Sequence, residues 1–100
     1  MDKLIFALKL IPCRHDFAQT MTHEEREIMQ QHVYYWKELM KNGFVIVFGP
    51  VIDPKGIYGL GIISVTDESQ VIEFIKNDPA SKINQYEYFL MKATLPNNCD

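Results

Sequence analysis

The sequence predicts an α+β fold, a four-stranded antiparallel sheet with two helices, and three observations predict it. Four apolar stretches carry the period-two alternation or the β-branched and aromatic enrichment of strands. Two others open on Thr or Asp followed three residues later by Glu or Gln, the pairing that closes a helix N-terminus. Between the second and third strands stands only VIDPKG, too short for a crossover, so those two strands must pair antiparallel.

Each element follows in order. Over residues 3–11, Leu4, Phe6, Leu8 and Leu10 fall on one side of an extended chain and Ile5, Ala7 and Ile11 on the other; Pro12 ends this first strand. Residues 13–21 read as a polar connection. Thr22 and Glu25 can each satisfy a free N–H of the first helical turn, which predicts a helix over 22–42 with Gly43 as its stop. FVIVFGP, residues 44–50, is a second strand bounded by Gly43 and Pro50, and residues 57–66 are a third. Asp67 with Gln70 opens a helix over 69–76 that Asn77, Asp78 and Pro79 bring to an end. YEYFLMKAT, residues 86–94, is the fourth strand, and PNNCD has no pattern. The order βαββαβ is the ferredoxin-like split arrangement, with residues 1–95 as one domain and 96–100 as a polar tail.

Composition narrows the function. The chain has 100 residues, 47% of them hydrophobic, enough for one thin core. Thirteen acids against 10 bases, with no Lys/Arg run, argue against nucleic acid as a partner. The apolar run Leu4 to Leu8 is too short for a signal-peptide core or a bilayer span, and two isolated cysteines, Cys13 and Cys99, suit a reducing compartment. A cytoplasmic protein without a membrane partner is expected.

The strands are apolar on both sides. Phe44, Ile46 and Phe48 oppose Val45 and Val47; Tyr58, Leu60 and Ile62 oppose Ile57, Ile63 and Val65; Tyr86, Tyr88 and Leu90 oppose Phe89, Met91 and Ala93. Two helices cover one face of a sheet, and each large apolar side chain left on the other forgoes about 1.5–3 kcal/mol of burial. A second copy packed sheet to sheet, a two-fold homodimer, answers this, and a ligand-binding floor is the alternative.

His32 is the residue that invites a functional reading. At helical spacing it shares a stripe with Ile28, Tyr35 and Leu39 that faces the sheet. It is either a core imidazole bonded to main chain or a titratable group set against a pocket. Tyr35 could edge that pocket with its hydroxyl, whereas Trp36 belongs to the core row of Met29, Val33 and Met40. Tyr58 and the alternating Gly59 and Gly61 leave room above the third strand. No metal is expected: His23 and His32 are nine residues apart and point opposite ways, and His15 with Asp16 offers one ligand pair of unassigned role. No cofactor is expected either, since Gly49-Pro50 and Gly56 lie between strands instead of leading into a helix N-terminus.

Over nearly its whole length the chain resembles the YCII-related family. The resemblance rests on H-x-x-Y-W-x-x-L at residues 32–39, Gly43, Gly49-Pro50, Gly56 within D-P-K-G, and Asp78-Pro79. It implies a dimeric α/β barrel of ferredoxin-like protomers, with a helix histidine and the aspartate of the D-P pair, here His32 and Asp78, lining a pocket. One branch of the family resembles a dehydrochlorinase of a chlorinated aromatic diol; His15-Asp16 and the scarcity of arginines before the helix depart from the commoner pattern. A carboxylate reaching His32 would orient the ring for proton transfer or elimination on a small molecule, with His32 as base and Asp78 as orienter. Asp78 could equally cap its own turn, and the same pocket could hold a metabolite without chemistry, as a binding or accessory module.

Overall fold

The computed structural model describes residues 3–96. The polar tail beyond Pro96, Cys99 included, lies outside the described residues. Strand β1 (Leu4–Ile11) is followed by a one-turn helix α1 (Phe17–Thr20), helix α2 (His23–Lys41), strands β2 (Val45–Val51) and β3 (Tyr58–Val65), helix α3 (Glu68–Asn77), a 3-10 turn (Pro79–Lys82) and strand β4 (Gln85–Met91). The strands form one sheet in the order β2-β3-β1-β4, antiparallel throughout, which is the ferredoxin-like α+β arrangement. No helix among the described residues is long and apolar enough to cross a membrane.

Local chemistry accounts for the boundaries. The Thr22 hydroxyl accepts from the Glu25 amide while the Glu25 carboxylate accepts from the Thr22 amide, the reciprocal cap expected for α2. Gly43, at φ +89°, takes the left-handed step after α2 that a side chain would resist. At α3 the cap differs from expectation: Asp67 accepts from the Ser69 amide, but Gln70 reaches back to the Thr66 amide and hydroxyl instead of the Asp67 amide. Two short elements, α1 and the 3-10 turn, fall where only connections were expected; one turn is too brief to show a helical period. Strand β4 stops at Met91, which pairs with Ile5 near the start of β1, short of the expected Thr94.

A bulge corrects the expected faces. Val45 pairs with Ile63 and Val47 with Ile62, so Ile46 is an extra residue, and Val45 lands on the same side as Phe48 instead of opposite it. That side, with Phe6, Leu8, Ile63 and Val65, packs under Trp36 and Val71 as the core. Pro50 sits within β2, tolerated because β2 is an edge strand. Among the described residues the far side bears no helix: Val47 is 55% exposed and Phe89 58%, beside Ile62, Ala7 and Met91. Contrary to the expectation that neither side is polar, Lys9, Glu87 and Ser64 interrupt this second face.

Candidate functional site

Asp78 ends α3 and begins the 3-10 turn, and the N-D-P sequence explains its backbone. Pro79 cannot extend the helix, and at the first position of the turn it needs no N–H partner. The Asp78 carboxylate therefore caps the turn, accepting the Ala80 amide at 2.9 Å through Oδ1. Capping occupies only part of this side chain's capacity.

The remaining lone pairs face α2. His32 Nδ1 lies 3.0 Å from Oδ1 and 2.8 Å from Oδ2 of Asp78; a carboxylate can only accept, so Nδ1 carries the proton. Trp36 Nε1 donates to Oδ2 at 2.8 Å, and the Tyr86 hydroxyl of β4 donates to the same oxygen while standing 3.1 Å from Trp36 Nε1. Three side chains and one amide thus converge on a carboxylate that is 2% exposed. Burial pushes the Asp78 carboxyl up, but the His32 hydrogen bond and charge, with Tyr86 and the Ala80 amide, outweigh it and hold the group below its ordinary value. Burial first, and then the Asp78 charge, pushes the Tyr86 phenol well above its ordinary range, so it stays a donor.

These contacts determine what His32 can do. With Nδ1–H committed to Asp78, Nε2 keeps the lone pair, and among the described residues it has no hydrogen-bond partner. No polar side-chain atom of the described residues is both sealed from solvent and unpartnered, so Nε2 is reachable from outside. His32 lies on the wall of a partly open cleft of about 350 Å³ between the covered sheet face, α2 and α1. Leu8, Gly59 and Gly61 form its sheet side, Met29 and Val33 line its α2 side, and Phe17 contributes from α1. An imidazole with one nitrogen anchored and the other facing a cavity has the geometry of a proton acceptor.

The other expected positions divide. Gly59 borders the cleft, as does the Tyr58 position, but the Tyr58 ring turns to the helix-free face, where Lys9 Nζ stands 4.6 Å above it. Tyr35 does not: its hydroxyl donates to the Phe74 carbonyl at 2.9 Å, on the flank of α2 that meets α3. Burial, with the Asp78 and Glu73 charges, pushes that phenol up to about 12. A single residue's 100° step along the helix separates this flank from the one bearing Trp36. Gly61 leaves room as expected, but Trp36 fills it, since a Cβ there would stand 2.3 Å from the indole ring. His15 is exposed and packs on Gly56, and Asp16 precedes α1; neither reaches the cleft. Among the described residues no three His, Cys, Asp or Glu side chains are grouped to hold a metal.

Three residues of the site escaped the sequence. Trp36 stands four positions after His32, a spacing that stacks them on one helix face, and this could have paired them. Tyr86 shares the covered face with Tyr88, but nothing local marks it as Asp78's partner. Asn84 is buried, accepts the Cys13 amide at 3.0 Å, and turns Nδ2 to the Met29 sulfur at 3.6 Å, tying the two loops that border the cleft.

No curated protein matches the sequence. The model of one protein family, described as the YCII-related domain, matches residues 9–92, from the last residues of β1 to just past β4, and so takes in His32, Trp36, Asp78 and Tyr86, which build the polar knot; the chain belongs to the YCII-related domain family.

Proposed function

We propose that the protein is a small-molecule enzyme of the proton-transfer or elimination type, with Nε2 of His32 as general base and Asp78 as the residue that orients it. One observation carries this reading: the imidazole is held by a buried carboxylate through Nδ1, while Nε2 has no partner among the described residues and the ring lines a cleft. A purely structural histidine would be expected to use both nitrogens within the protein. Here the bonded nitrogen sets tautomer and ring plane, and the lone pair that remains can take a proton from a bound molecule. Replacement of His32 by Asn keeps a polar group of similar size but removes the base. Turnover of a substrate found by metabolite profiling should then fall by about two to four orders of magnitude, with binding retained. Unchanged turnover removes His32 from the chemistry.

A non-catalytic binding module is the second reading, favoured by how little of the cleft wall is polar. Retained binding without turnover by the wild type in the same profiling would select it.

Homodimerisation through the helix-free sheet face completes the proposal. Val47, Phe89, Leu60 and Met91 are each more than a third exposed there, and Lys9 and Glu87 on the same face offer opposite charges to a two-fold mate. Light scattering at micromolar concentration should give twice the 11.7 kDa chain mass, and Phe89→Glu should halve it. A wild-type mass of one chain would refute the dimer.

A further inference from the structure

The composition of the cleft wall restricts what can enter it. Among the described residues no Lys, Arg, Asp or Glu lines the cleft, and of the ionisable residues that border it, His32, Tyr58 and Tyr86, Tyr58 turns its ring to Lys9 on the helix-free face. The Tyr86 hydroxyl is already engaged with Asp78 and Trp36. Polar capacity among the lining side chains is thereby left to Nε2 of His32 and Nδ2 of Asn84, whose partner is a weakly accepting thioether.

An anion entering this space would shed its water and meet no fixed cation, because a histidine able to accept a proton is uncharged. A cation fares no better. The nearest carboxylate, Asp78, lies behind the imidazole with four donors already on its two oxygens. We propose that the cleft takes an uncharged, mainly apolar small molecule whose polar group faces Nε2 of His32. This rests on the reading of His32 as a proton acceptor at the cleft, and it specifies the class of substrate on which that acceptor would act.

The chain's single tryptophan, Trp36, lines the cleft and provides the reporter. Three probes share a ring system and differ in charge: naphthalene methanol, naphthoate and naphthylmethylammonium. The alcohol should shift the Trp36 indole N–H resonance and bind about tenfold or more tightly than either ion. Val33→Arg places a cation at an exposed position of the cleft wall, and should raise naphthoate affinity to at least that of the alcohol. Naphthoate binding the wild type as well as the alcohol does would overturn the proposal. So would the absence of any shift with all three probes, the result expected if side chains of a second copy fill the cleft, or a Val33→Arg variant that gains no affinity for naphthoate. His32→Asn separates this inference from the proposed reaction: it should keep the preference for the alcohol while turnover is lost. A preference for the anion alongside His32-dependent turnover would sink the substrate class and leave the base in place.

Discussion

Two charged residues in this molecule each gather several hydrogen bonds at the start of a short helical turn, and their surroundings make them opposites. Asp78 takes four donors with its side chain 1% exposed, whereas Arg14 binds both Glu25 oxygens, at 3.0 and 2.8 Å, and the Thr20 carbonyl with a third of its side chain in water. Glu25 is held down to about 2, chiefly by the Arg14 hydrogen bond and then by the Thr22 amide. Bond count alone would rank the clusters as equals. The difference is the solvent: in water each broken bond is replaced, whereas inside the fold an orphaned donor has nothing to turn to. The buried cluster holds the candidate base; the exposed one ties α1 to α2.

The largest effect should come from Asp78→Ala. Removing the acceptor strands the His32, Tyr86 and Ala80 donors together and leaves Trp36 only the Tyr86 hydroxyl, and urea unfolding should show a loss of about 3–5 kcal/mol. A loss no greater than that of a surface mutant would erase the contrast. Next is Gly61→Ala, which drives a Cβ into the Trp36 ring and moves the indole away from Asp78. The expected cost is about 1–3 kcal/mol, with a changed Trp36 fluorescence maximum.

Acid provides a third test. Asp78 sits below its ordinary value when folded, so the stability it contributes is complete above the ordinary carboxylate range and is lost as pH falls through the lowered value. Melting temperature followed downward in pH should therefore drop in the wild type, and Asp78→Asn should flatten part of that limb. The smallest effect belongs to Arg14→Ala, whose melting point should stay close to the wild type's. What difference exists should vanish near about 1 M salt, where exposed charges are screened beyond a few ångströms. A large, salt-insensitive loss would mean that this cluster is not the open one described.

Several features were readable one segment at a time. Thr22 and Glu25 lie three apart, Gly43 closes α2, and the even residues of β1 share a face, because caps and periodicities involve atoms within a few residues of each other. His32 could be assigned to the sheet-facing stripe for the same reason. Its pairing with Asp78 came from likeness to a family, not from spacing, since 46 residues separate the two.

The amino-acid pattern by itself determined the four strands, the two longer helices, their order, and an excess of apolar surface. Only the tertiary structure decided that a single extra residue at Ile46 reverses the faces of β2, that Tyr35 turns to α3, and that Trp36 and Tyr86 join His32 on Asp78. Local backbone and capping preferences act over one turn or one strand. The partners of a buried carboxylate are chosen by which side chains the packed elements bring within 3 Å, and that depends on the whole chain at once.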